Sequence, residues 1–165
     1  MCGIVGVFHL DGAPVEQPLL ERMAATLSHR GPDGQKTGMP AASVGLGHTR
    51  LKVIDLSNQA DQPMSNEDGS ITLVFNGEIY NYQELKAGLQ QRGVRFATSS
   101  DTEVILRLYE VAGISCIQSL DGMFALGIWD NRRRHLVLAR DRVGKKPLFY
   151  YSGSSLFALD RKSVV

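Results

Sequence analysis

Met1-Cys2-Gly3-Ile4-Val5-Gly6-Val7-Phe8 opens the chain, and the fold is read outward from it. A short apolar run rich in β-branched residues predicts a strand too apolar to face water on either side. The strand carries a cysteine directly behind the initiator methionine. Removal of Met1, which a small second side chain favours, would leave a thiol and a free α-amine on one residue. The thiol is then a nucleophile and the amine its candidate base, the N-terminal form of the catalytic dyad. Reference pKa values of about 8.5 and 7.7–8.0 allow a neutral amine near neutral pH. Direct proton transfer within one residue needs a strained five-membered ring, so a bridging water is expected. The competing reading of Cys2 is a small packing hydrophobe. A lipid-acceptor cysteine is expected behind a hydrophobic leader, and none stands before Cys2.

Composition narrows the classes. A chain of 165 residues with 43% hydrophobic and 21% charged residues predicts one globular domain with a real core. Eighteen basic residues against seventeen acidic ones give a net charge of +1, which argues against nucleic-acid and membrane-surface roles. No stretch approaches the length of about 20 apolar residues that a membrane helix needs, and no signal peptide is read. Cys2 and Cys116, the two cysteines, form no disulfide framework and predict a cytoplasmic setting. Cys116 reads as a buried packing residue. Four histidines without ligand spacing give no structural zinc site.

Further along, helical spacing predicts a helix over 16–28, a turn at His29–Gly34, and one bent or two short strands over 44–55. Arg50 lies within that segment, and a guanidinium there is either a surface group or a bidentate grip for a carboxylate. A polar loop over 56–70 leads to a strand from Ile71 to Phe75. Asn76-Gly77-Glu78 then reads as a strand-to-helix corner, where an Asn amide and a Gly N–H converge as an oxyanion hole requires. Asn81 with Glu84, and Ser100 with Glu103, read as capping boxes opening helices over 82–92 and 101–113. Asp101 in the first turn is explained by the helix dipole alone. A short helix over 114–119 and strands over 122–129, 136–140, 148–151 and 156–158 complete the pattern. Arg132-Arg133-Arg134 reads as a solvated hairpin tip. Strands bracketed by helices, joined by hairpins, predict sheets packed between helical layers.

An ordered set of motifs then identifies a family. Met-Cys-Gly-Ile-Val-Gly-Val-Phe is followed by Arg30-Gly31-Pro32-Asp33, Gly47-His48-Thr49-Arg50-Leu51, Asn76-Gly77-Glu78-Ile79-Tyr80-Asn81, Ser100-Asp101-Thr102-Glu103 and Asp141-Arg142-Val143-Gly144-Lys145-Lys146-Pro147-Leu148. Together they resemble the glutaminase domain of class II glutamine amidotransferases, in the glutamine-hydrolysing asparagine synthetase branch. The resemblance covers residues 2–158. It implies an α+β fold, a four-layer αββα N-terminal-nucleophile hydrolase sandwich of two mainly antiparallel sheets. It implies Cys2 as nucleophile, with the Asn76 side chain and Gly77 backbone as the oxyanion hole. Arg50 would bind the α-carboxylate of glutamine, Glu78 and Asp101 its α-ammonium, and the backbone at Leu51 and Val53 would line the pocket. Glutamine would yield glutamate and ammonia through a thioester.

The resemblance implies no cofactor and no metal for this step. ATP and magnesium belong to a C-terminal ATP-pyrophosphatase synthetase domain, the partner expected in the full-length protein, whose phosphate loop does not occur in this chain. Residues 159–165 depart from the family pattern and read as a truncated or foreign tail. The ammonia acceptor stays open, with aspartate the branch-level expectation, and a homodimer is compatible with the family. The alternatives are an inactive fragment serving only as an interaction surface, or an amidotransferase with another acceptor.

Overall fold

The computed structural model describes residues 2–160. In chain order the elements are β1 (Gly3–His9), α1 (Gln17–Ala25), β2 (Gly34–Ala41), β3 (Val44–Arg50), β4 (Met64–Ser65), β5 (Ile71–Ile79), α2 (Tyr82–Gln91), α3 (Asp101–Ala112), β6 (Gly122–Asp130), β7 (His135–Arg140), β8 (Phe149–Ser152) and β9 (Leu156–Asp160). One sheet has the order β2-β3-β1-β9-β8 and the other β4-β5-β6-β7, with every pairing between these strands antiparallel.

Side-chain parity explains how these stack. On β1, Val5 and Val7 join Leu20, Ala24 and Leu27 in an apolar layer against α1. Ile4 joins Val44, Leu46, Val74, Ala125, Trp129 and Leu159, with Phe8 packed alongside, in the layer between the sheets. On β5 the alternation repeats. Leu73 and Phe75 face Ile105, Leu106 and Tyr109 of α3, while Val74 faces the other sheet. The result is the four-layer αββα sandwich, helix on sheet on sheet on helices. The Phe8 ring meets Trp129 edge-on at 5.2 Å. Burying each such aliphatic side chain is worth roughly 1.5–3 kcal/mol. A one-residue slip of β1 would exchange its two faces, so burial on both sides pins the register and with it the direction of Cys2.

Several expectations meet a different outcome. β5 does not end at Phe75. It runs through Asn76 and Gly77, paired with Ala125 and Phe124, to Ile79 opposite Gly122. Ile79 is fully buried, and this apolar anchor together with the long partner β6 overrides the local Asn-Gly turn preference. A Cβ on Gly77 would lie 2.1 Å from the Met123 carbonyl oxygen, and one on Gly122 2.2 Å from that of Glu78. These two glycines let the strands close where side chains would hold them apart.

The strand expected over 44–55 stops at Arg50. β2, too exposed and polar to show a pattern, was not anticipated. Asn81 makes no cap bond. Instead its amide bridges Ser119 O and Asp121 N–H, tying the start of α2 to the approach to β6. Ser100 does cap α3, accepting from Glu103 N–H, whereas the Glu103 carboxylate turns to the backbone N–H groups of Ala97 and Thr98.

The domain boundary expected at 158 falls inside β9. Leu159 and Asp160 pair with Gly6 and Val5, and Leu159 belongs to the inter-sheet core. The remainder of the expected tail, 161–165, lies outside the described residues.

Candidate active site

Cys2 has the parity of Ile4, and Asn76 that of Val74, so both point between the sheets. At one end of that layer a cavity of about 150 Å³ opens. All eight candidate residues, Cys2, Arg50, Leu51, Val53, Asn76, Gly77, Glu78 and Asp101, line it. Val53 and Glu78 are exposed, whereas Arg50, Asn76 and Asp101 are buried.

Three contacts hold the start of β1. Gly3 N–H donates to Thr49 Oγ1 at 3.1 Å, and that hydroxyl donates to Leu27 O at 3.1 Å. Arg30 Nε donates to the Cys2 carbonyl at 3.4 Å. A Cβ on Gly3 would sit 2.7 Å from Thr49 Oγ1, so the residue after the cysteine has to be small. The Cys2 Sγ accepts from Leu51 N–H at 3.3 Å. Burial pushes the Cys2 thiol above its ordinary pKa, opposed by the Leu51 N–H and the Arg50 charge. The thiol is therefore protonated near neutral pH, and its use as a nucleophile requires a base. Cys116 differs in setting. It sits in the apolar layer under α3, where burial pushes its pKa up to about 11.

The part of the β5 edge that no strand covers explains the rest of the site. β4 covers only Leu73 and Thr72, so beyond them the N–H groups that point away from β6 need other acceptors. They belong to Phe75, Gly77 and Ile79, one parity along an unbroken register. Phe75 N–H donates to Gln62 Oε1 at 2.5 Å. Ile79 N–H donates to Asp101 Oδ2 at 3.1 Å. The Gly77 N–H between them is directed to the cavity side. Beside it the Asn76 Nδ2 is buried and has no acceptor among the described residues. A buried orphan amide donor is costly, about 1–3 kcal/mol, and is rare enough to require an explanation. A neighbouring amide N–H at the same edge makes this a two-donor site for an oxygen that carries charge.

The charges are divided between the two halves of the sandwich. Arg50 comes from β3. Its guanidinium donates to Ser57 O at 2.6 Å, to Asp55 O and to the Asp61 carboxylate, and Asp61 also meets Lys36 Nζ at 2.6 Å. Three bonds leave part of the five-donor fork for a ligand. Asp101 comes from the first turn of α3. Burial raises its carboxyl to about 6, opposed by the N–H groups of Ile79, Thr102 and Asp101 itself, with nearby Glu78 adding to the rise. A cation on one wall and two carboxylates on the other suit a zwitterion. The buried His48 is neutral near pH 7, because burial lowers its pKa to about 3.

Sequence reasoning missed Asp61, which orients Arg50, and Gln62, which caps the β5 edge. Both lie in the stretch read as a plain polar loop. No periodic signal marks either residue, because each acts on a partner distant in sequence.

The chain is similar to known proteins in sequence and in fold. The family model described as a glutamine amidotransferase domain matches residues 1–165. A glutamine-hydrolysing asparagine synthetase of Bacillus subtilis is 44% identical over 170 aligned residues, which cover 99% of this chain and 22% of the relative. An amidase of Gibberella zeae is 42% identical over 147 residues, covering 87% of this chain and 22% of its own length. The chain thus spans little more than a fifth of these curated relatives. Among solved structures, the glutamine phosphoribosylpyrophosphate amidotransferase from B. subtilis superposes with a TM-score of 0.79 over 97% of this chain and 42% of that one. At 23% identity that likeness concerns the fold.

Proposed function

This chain belongs to the class II glutamine amidotransferase domain family, and on that premise we propose that it hydrolyses glutamine to glutamate and ammonia through a Cys2 thioester. The observation that carries the reading is the convergence of Cys2 Sγ and the unpartnered Asn76 Nδ2 in one cavity. A nucleophile that faces an empty pair of donors is what acyl transfer needs.

The substrate is placed by its charged end. The free part of the Arg50 fork takes the α-carboxylate, and Asp101, with Glu78 at the mouth, takes the α-ammonium. The γ-carboxamide then extends toward Cys2. With Met1 removed, the Cys2 α-amine accepts the thiol proton through a water, and Sγ adds to the carboxamide carbon. The oxygen gains a full charge only at this point, between Asn76 Nδ2 and Gly77 N–H. When the tetrahedral species collapses, the C–N bond breaks, the amine returns the proton to the departing nitrogen, and ammonia leaves. A water then adds to the thioester by the same route, releasing glutamate and restoring the thiol. In these steps the protein supplies binding, orientation and proton transfer.

In the whole protein, we take the ammonia to pass to an ATP-dependent synthetase domain. Asparagine formation is the reading favoured by the B. subtilis relative. The amidase relative, nearly as similar in sequence, supports keeping the acceptor open.

The test is an intact-mass measurement establishing removal of Met1, followed by ammonia release from glutamine by the same sample. Cys2→Ala should abolish release while keeping a cooperative melt. Cys116→Ala should retain release, with at most a packing loss. Activity surviving in Cys2→Ala and vanishing in Cys116→Ala would overturn the assignment.

A further inference from the structure

The strand edge that carries the two donors is held by the same Gln62 side chain that caps it. Gln62 is buried, lines the cavity, and bonds at both ends. Its Oε1 accepts from Phe75 N–H at 2.5 Å, and its Nε2 donates to Thr102 Oγ1 at 3.2 Å. Phe75 immediately precedes Asn76. Thr102 immediately follows Asp101, whose carboxylate takes the Ile79 N–H. The edge is therefore gripped two residues before Gly77 by Gln62 and two residues after it by Asp101. Both grips lead to the first turn of α3.

We propose that Gln62 is a positioning residue for the oxyanion site, fixing Asn76 Nδ2 and Gly77 N–H by anchoring the Phe75 backbone to Thr102. The inference rests on the glutaminase reading above. Its physical basis is the tolerance of such sites. Donors help only when they are preorganised at the place where the oxyanion forms, and a displacement of about 1 Å can cost roughly 10²-fold. An edge strand without a neighbour would let its peptides tilt, and Gln62 stands where that neighbour is missing. Side-chain anchoring of this kind moves kcat through Asn76 and Gly77. It does not touch the groups that hold the α-carboxylate and α-ammonium, so KM changes little.

A double-mutant cycle separates this from a merely structural role. Gln62→Met keeps the side-chain length and removes both bonds. It should lower kcat for glutamine by about tenfold with KM nearly unchanged, yet by less than about threefold once Asn76→Ala is already present. A structural Gln62 would reduce kcat by the same factor in both backgrounds, and that additivity would overturn the proposal. If Gln62→Met loses its cooperative melt, the cycle is run with Thr102→Val, which removes only the hydroxyl that holds Gln62. The same criterion of non-additivity decides it. Failure of the underlying reading shows itself differently. There Asn76→Ala alone would leave kcat intact, and the positioning role would fall with it.

Discussion

Asn76 is the residue at which stability and activity pull apart. Its amide is buried, with Nδ2 lacking an acceptor among the described residues. In the free protein that orphan donor costs about 1–3 kcal/mol. Asn76→Ala removes the cost and loses some packing in exchange, so the melting temperature should stay level or rise. The effect on catalysis runs the other way. Glutamine in its ground state offers a neutral carbonyl, worth a net of about 0.5–1.5 kcal/mol per hydrogen bond. The tetrahedral species offers a full negative charge, and losing one of two preorganised donors costs about 2.7–4 kcal/mol, a factor of 10²–10³ in kcat. The difference between the two states is what appears in the rate. Asn76→Ala should therefore lower kcat by about 10²–10³ while KM moves by less than about tenfold. Asn76→Asp should be at least as damaging, because it places an acceptor where a donor is needed. The assay is steady-state glutamate formation on protein shown by mass to have lost Met1, with a thermal melt on the same sample. Turnover by Asn76→Asp within about threefold of the parent would refute the reasoning.

The other predictions concern the walls of the site. Asp101→Asn should raise the KM for glutamine strongly, since a buried ammonium loses a charged partner worth roughly 2–5 kcal/mol; an unchanged KM would leave Asp101 only its bond to the Ile79 N–H and its place in the first turn of α3. Because the folded pKa of Asp101, about 6, lies above its unfolded value, the folded state holds the extra proton between about pH 4 and 6, so this group's contribution to stability falls as pH rises through that window. Asp101→Asn should flatten that segment of the stability profile, while kcat/KM of the parent declines below about pH 6 as the carboxylate is protonated. Gly77→Ala should destabilise by about 1–3 kcal/mol in urea melts, as its Cβ meets the Met123 carbonyl at 2.1 Å. Gly88→Ala, on an open face of α2, should instead stabilise by about 0.5–1 kcal/mol. Equal effects for the two glycines would count against the close-approach argument.

What the sequence discloses depends on how local each signal is. The β1 run, the α1 stripe and the Ser100 cap of α3 are local patterns, and each appears in the structure, although α1 covers only Gln17–Ala25 of the helix expected over 16–28. The four layers follow from strands too apolar to face water on either side. The outcome differs wherever a distant partner decides. Asn76-Gly77 has the composition of a turn but lies within β5, because β6 supplies nine paired positions and Ile79 a buried terminus. Asn81 has the composition of a cap, yet it spends its amide on Ser119 and Asp121. β2 gives no pattern because none of its residues is buried. The eight candidate site residues share a cavity, although no spacing between them could have shown it, since they come from the residue before β1, from β3, the loop after it, β5 and α3. The resemblance brought them together on paper. Antiparallel parity brings them together in space.

Parity also explains why this fold tolerates such a site. Cys2 and Asn76 occupy positions that, two residues further in, hold Ile4 and Val74. The active groups are thus the last layer of the hydrophobic core, replaced by polar atoms. Three of them are kept there unfavourably. The Cys2 thiol and the Asp101 carboxyl are desolvated, and the Asn76 donor has no partner. The rest of the sandwich, buried on both sides of each sheet, is large enough to bear that cost. Each of these strains is one that bound glutamine would relieve, through its ammonium at Asp101 and its carboxamide oxygen at Asn76. Ligand that binds only the folded state stabilises it by RT ln(1 + [L]/Kd), about 2.7 kcal/mol at a hundredfold excess over Kd. With turnover stopped in Cys2→Ala, saturating glutamine should therefore raise the melting temperature, and the rise should shrink in Cys2→Ala/Asp101→Asn. A rise that Asp101→Asn leaves unchanged would mean that the cavity is not where the substrate binds.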